Sequence, residues 1–212
     1  MQNVKHILCY GDSLTWGFDP DSMNRYPFEV RWTGLLQNTL GASYRIIEEG
    51  LNGRTTAFDD PFSPHRNGST TLPFLLETHA PVDLVVLMLG TNDVKEYIHG
   101  NAKKAAIGCG KLIWLISASK TNLGGKASEI LLVSPPHIIN PPDFMETLFE
   151  GAAEESKKLA CEYKSVANYF KAHFMDTSLF IKPCATDGVH LDEENNKLLA
   201  EKMAEKVREI VD

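Results

Sequence analysis

Val82-Asp83-Leu84-Val85-Val86-Leu87-Met88-Leu89, ending in Gly90-Thr91-Asn92-Asp93, is the stretch that decides the fold. Apart from Asp83 its first eight residues are all apolar. A strand with one wet face alternates polar and apolar side chains; an unbroken apolar run belongs to a strand covered on both faces, as in a parallel sheet. Working outward, Val4 to Tyr10, Tyr44 to Glu49 and Ile130 to Ser134 read as further strands, the last stopped by Pro135-Pro136. A short fifth strand is expected around His173 to Met175.

Helical periodicity fills the intervals. Arg31 to Leu40 has helical character and closes at Gly41. Ala102, Ala105, Ala106, Cys109, Leu112, Ile113 and Ile116 recur at three- and four-residue spacing, as do Phe149, Ala152, Ala153, Ala160, Tyr163, Val166, Ala167 and Phe170. A last helix after Asp192 carries Leu198, Leu199, Met203, Val207 and Ile210 on one stripe. Alternating strands and helices with right-handed crossovers give an α/β fold, a parallel sheet between two helical layers. The 212 residues suit a single domain, 1–212, with one sizeable core. Phe18 to Val30 and Asp59 to Thr71 are longer than turns require and read as surface excursions, a lid or an oligomer contact.

In such sheets ligands bind beyond the carboxyl ends of the strands. The residues there are Gly11-Asp12-Ser13, Gly50 to Thr56, Gly90-Thr91-Asn92-Asp93 and Ser134-Pro135-Pro136, with Thr186 to His190 preceding the last helix. Ser13, between a strand and a segment able to turn into helix, can present its hydroxyl at the sheet edge. Serine is a weak nucleophile until a base removes its proton. Of the seven histidines, His190 stands out because Asp187 precedes it by three residues in a glycine-containing turn. That spacing lets the carboxylate hold one ring nitrogen while the other faces the serine. Acyl transfer also needs donors for a developing oxyanion. Gly53, with no Cβ to obstruct a substrate, and the Asn92 side-chain amide are the candidates, each equally readable alone as a turn residue.

These blocks resemble those of the SGNH (GDSL) hydrolases. Gly11-Asp12-Ser13-Leu14 looks like their first block; Gly53, Gly90-x-Asn92-Asp93 and Asp187-x-x-His190 look like the second, third and fifth, in order along nearly the whole chain. The resemblance implies a three-layer flavodoxin-like fold with a five-stranded parallel sheet. It makes Ser13 the nucleophile, His190 the base and Asp187 its orienting acid, with an oxyanion hole from the Ser13 and Gly53 N–H groups and the Asn92 amide. Val30-Arg31-Trp32-Thr33-Gly34, Glu48-Glu49-Gly50-Leu51, Arg54-Thr55-Thr56 and Phe149-Glu150-Gly151 are similar to the arylesterase and acyltransferase branch. That branch cleaves short acyl esters, sometimes passes the acyl group to alcohols or peroxide, and is commonly oligomeric. Glu48 stands where the family's second block usually begins with asparagine, a change the branch shares.

Asp12, Trp16, Thr91 and Phe149 are assigned to the substrate pocket, although Asp12 reads first as the residue holding the nucleophile turn. Phe18, Phe144 and Met145 are further wall candidates, equally suited to core or oligomer contacts; Asp93 and Asp176 read as structural carboxylates. A sugar O-deacetylase, a thioesterase, a lysophospholipase and a non-catalytic binder of acylated ligands are the alternatives. The expected partners are a small acyl ester and a water or alcohol acceptor.

Composition narrows the rest. A formal net charge of −7 opposes general nucleic-acid binding, and no Gly-x-Gly-x-x-Gly or phosphate loop follows the first strand. Cys9, Cys109, Cys161 and Cys184 are too scattered for zinc or a redox pair, so no metal and no cofactor are expected, and Cys9 and Cys109 read as buried thiols. No run approaches a membrane span, and the apolar stretch near the N-terminus is too short for a signal peptide. A cytoplasmic setting is the expectation.

Overall fold

The computed structural model describes residues 4–120, 122–139 and 141–212, without the side chains of Asp143 and Phe144; the expectation for Phe144 lies outside them. The strands are β1 (Lys5–Gly11), β2 (Tyr44–Gly50), β3 (Leu84–Met88), β4 (Glu129–Ser134) and β5 (His173–Asp176). They form one parallel sheet in the order β2-β1-β3-β4-β5, the doubly wound flavodoxin-like arrangement. The helices are α1 (Ser13–Trp16), α2 (Trp32–Leu40), α3 (Gly68–Thr78), α4 (Ala102–Ser119), α5 (Asp143–Glu146), α6 (Ala152–Phe170) and α7 (Glu193–Val211).

Alternate residues of each central strand enter opposite cores. Leu8, Tyr10, Val85, Leu87 and Leu132 pack with Leu72 and Leu76 of α3, Cys109 and Leu112 of α4, and Leu159 and Tyr163 of α6. Ile7, Cys9, Val86, Met88 and Val133 pack with Trp32 and Leu36 of α2 and Leu199 and Met203 of α7. That is why the runs are unbroken: each side chain, on either face, gains about 1.5–3 kcal/mol from burial. Burial also raises the Cys9 and Cys109 thiols far above their ordinary range, so both are inert in the core. Among the described residues no helix is long and apolar enough to cross a membrane.

Strand ends shift by one or two residues from the sequence reading, and two boundaries differ by more. Phe149 lies ahead of α6, which starts at Ala152 after Gly151 takes φ 70°; Phe149 keeps its apolar spacing because it packs on the same core. Gly68 to Thr71 belongs to α3 and not to the preceding excursion. Asn67 caps that helix, its side chain accepting from the Ser69 N–H at 3.0 Å.

Candidate active site

The chain runs from β1 to β2 on one side and then crosses to β3 on the other, so the strand order reverses beside β1. A crevice opens at such a point, and the residues following β1, β2 and β3 meet there. Ser13 is the first residue of α1. Asp12 caps that turn, with Oδ1 accepting from the Leu14 N–H at 3.0 Å. A first helical residue has no partner for its N–H within the helix. The turn is pressed onto β2 at Gly50, where a Cβ would lie 2.2 Å from the Trp16 backbone nitrogen.

Ser13 Oγ lies 2.8 Å from His190 Nε2, and His190 Nδ1 lies 2.5 Å from Asp187 Oδ2. With Nδ1–H donating to the carboxylate, Nε2 is the ring's acceptor and faces the serine hydroxyl. The other oxygen, Asp187 Oδ1, accepts from the Val189 and His190 N–H groups at 2.9 Å each, so the turn itself sets the spacing. Burial works to raise the Asp187 carboxyl, but the hydrogen bond and charge of His190, with those two N–H groups, hold it below the usual range. Phe18 tilts over the imidazole with ring centroids 4.4 Å apart, shielding one face from water.

The loop after β2 turns at Leu51 to Arg54, closed by the Arg54 N–H donating to Leu51 O at 3.0 Å. Gly53, with φ 77°, occupies the turn position that favours glycine, and its N–H stands outside that closing bond. Across from it the Asn92 amide donates to Arg54 O at 3.1 Å. One of its two N–H bonds is thereby used for orientation and the other remains for a ligand. The Arg54 guanidinium donates to Gly11 O at 2.9 Å and to Glu49 O, and lies over Tyr10. Arg54 therefore ties the end of the nucleophile strand to the Gly53 turn.

The structure links Ser13, His190 and Asp187 in one relay, and joins Asn92 to the Gly53 loop at Arg54 O, with that loop tied to the end of β1. Thr91 is buried beside Asn92. Trp16, last in α1, is half-buried under Arg25. Phe149 is 5% exposed, its ring 4.7 Å from the Lys95 ammonium, and Met145 packs against the same core. Asp176 caps the turn after β5 through the Ser178 N–H. The sequence reading passed over the partners of Glu48. Its carboxylate accepts from Arg31 Nε and Nη2 at 2.9 and 2.8 Å and from Thr33, and Arg25 stands 3.8 Å away. Arg25, and Arg31 Nη1 donating to Tyr26 O at 2.8 Å, tie the Phe18–Val30 excursion to β2 through Glu48. Burial alone would raise Glu48, but these partners hold it low.

Asp12 is fully buried, and burial pushes its carboxyl up to about 6 despite the Leu14 N–H and the charge of His190. A carboxyl whose folded value exceeds its unfolded one, near 3.8, weakens the fold as pH rises through the interval between them. Asp12→Asn keeps the cap to Leu14 and removes the charge. It is expected to exceed the wild type in stability at pH 8 by up to about 3 kcal/mol, a gain that vanishes below pH 4. Urea unfolding at both pH values measures it, and an equal difference at the two would exclude a buried titration.

Comparison with known proteins gives the family. The native aryl esterase of M. Smegmatis superimposes with a TM-score of 0.94 at 41% identity, over 98% of this chain and 100% of that one. A carbohydrate acetylesterase from Sinorhizobium meliloti is 42% identical with a TM-score of 0.92, over 97% and 99% of the respective chains. A lipolytic G-D-S-L family member from Veillonella parvula, at 18% identity and a TM-score of 0.69 over 95% and 97%, shares the fold. No match is found among curated proteins. The model of the GDSL-like lipase/acylhydrolase family matches residues 9–198. The chain belongs to that family and is a carboxylic ester hydrolase.

Proposed function

We propose that this protein cleaves short-chain acyl esters through a covalent acyl-enzyme on Ser13, with the acyl group passing to water or to another alcohol. The observation that carries the reading is the continuous relay from Asp187 through His190 to Ser13, at 2.5 and 2.8 Å. His190 Nε2 takes the hydroxyl proton as Ser13 Oγ attacks the ester carbonyl. Asp187 steadies the imidazolium that forms. The carbonyl oxygen, now negative, is met by the Ser13 and Gly53 N–H groups and the second N–H of Asn92. As the tetrahedral intermediate collapses, His190 returns its proton to the leaving alkoxide. Water or an alcohol then repeats the sequence on the acyl-serine and frees the enzyme.

The aryl esterase and carbohydrate acetylesterase neighbours support acetate-sized acyl groups with either an aryl or a sugar alcohol. The test is turnover of a short aryl acetate with an added alcohol, alongside labelling by a fluorophosphonate. Phenol release, a free-acid to new-ester ratio that follows alcohol concentration, and one phosphonyl adduct on Ser13 are expected. A folded enzyme that neither turns over nor labels would overturn the reading.

A further inference from the structure

Asp93 is 0% exposed, and the mechanism above gives it no part. A carboxylate kept from water is costly unless donors replace the water. Thr56, of the loop after β2, meets it twice: the Thr56 N–H lies 2.9 Å from Oδ2 and 3.2 Å from Oδ1, and the Thr56 hydroxyl lies 2.5 Å from Oδ1. His99 Nε2 stands 3.4 Å from Oδ1, with its ring against Phe58. A second feature holds Thr56 from behind. At Gly108 of α4 a Cβ would lie 1.9 Å from Thr56 Oγ1 and 2.7 Å from its Cβ. The helix surface is hollowed there to seat Thr56, with Phe58 Cε2 next, 3.2 Å from the same point.

The consecutive residues Asn92 and Asp93 thus grip the same loop at two points, Arg54 O and the Thr56 N–H and hydroxyl. The loop's other end is tied to β1 by the Leu51 N–H and the Arg54 guanidinium, both on Gly11 O. Gly53 lies between these anchors. We propose that Thr56, held between Asp93 and Gly108, is a positioning residue that sets the Gly53 and Asn92 donors in one frame for the oxyanion. The proposal rests on the oxyanion assignment made above. Preorganised donors accelerate acyl transfer because nothing has to reorient as charge develops. A loop free to shift by an ångström or so forfeits much of that.

Thr56→Val keeps the side chain's size and the backbone N–H but removes the hydroxyl donor. Gly108→Ala leaves Thr56 intact and displaces it from its seat. Each is expected to lower kcat about tenfold with KM little changed. Affinity for an aliphatic trifluoromethyl ketone, which forms an oxyanion on the enzyme, should fall by the same factor. Thr56→Ser should recover most of the loss. In the Thr56→Val/Asn92→Ala double variant the losses should combine to less than their product, a coupling that mere loss of stability does not produce. Folded Val and Ala variants with kcat within twofold of wild type would overturn the proposal. So would full additivity with Asn92→Ala. Should one of the two single variants fail to fold, the other and the Ser variant still decide. A wild-type rate in Asn92→Ala would instead remove the oxyanion assignment itself.

Discussion

Ser13→Ala is expected to fold as the wild type does and to lose on the order of a million-fold in kcat toward a short aryl ester, the scale seen when one member of such a unit is deleted. The structure separates the two effects cleanly. The cap of α1 is made by the Asp12 side chain on the Leu14 N–H and by the Asp12 carbonyl, which accepts from Thr15 and Trp16. The Ser13 carbonyl accepts from Gly17 and Phe18. Neither needs the hydroxyl, and alanine favours a helical position. What is lost is the one atom that His190 Nε2 faces at 2.8 Å. Initial rates beside a thermal melt provide the measurement. A clean, folded variant keeping more than about one per cent of wild-type turnover would take the nucleophile's role from Ser13.

Asn92→Ala is the second large effect, expected to lower kcat about 100- to 1000-fold, or roughly 2.7–4 kcal/mol of transition-state stabilisation. Asn92 is 4% exposed, and one amide hydrogen is committed to Arg54 O. The remaining hydrogen has its full strength only once the carbonyl oxygen becomes an anion. The loss should therefore fall on kcat and kcat/KM together, with KM nearly unmoved. Steady-state kinetics on the ester used for Ser13→Ala decide it. A loss below tenfold would leave Asn92 as a turn residue that merely orients the loop.

Much of this was legible from local pattern. The strands were readable because residues such as Leu84 to Met88 are apolar without alternation, and a parallel sheet covered on both faces requires that. Crossover helices announced themselves through the spacing from Ala102 to Ile116. The rule that chemistry gathers beyond strand ends selected Ser13, Gly53 and Asn92, and the Asp187-x-x-His190 spacing selected the pair. Phe149 misled because apolar spacing reports which side chains face the core, and a residue can do so from a turn ahead of the helix. The excursion from Asp59 was drawn too long because Asn67 reads as a loop residue unless its cap to Ser69 is visible.

Other features depend on atoms far apart in the chain. Glu48 reads as an anomaly in its block until Arg31 and Thr33 are seen on it. Asp93 is one more turn carboxylate until Thr56 arrives, and Gly108 one more helical glycine until the hydroxyl behind it is seen. Asp12 carries no sign in the sequence of the burial that raises its carboxyl. Side-chain periods of two and 3.6 residues are local properties, set by the backbone geometry of strand and helix, so the sequence alone determined the elements, their layering and the residue types at the strand ends. Contacts between residues 177 apart, as Ser13 and His190 are, depend on how the layers close against one another. Only the tertiary structure decided the reach from His190 to Ser13, the burial of Asp12 and the seat of Thr56.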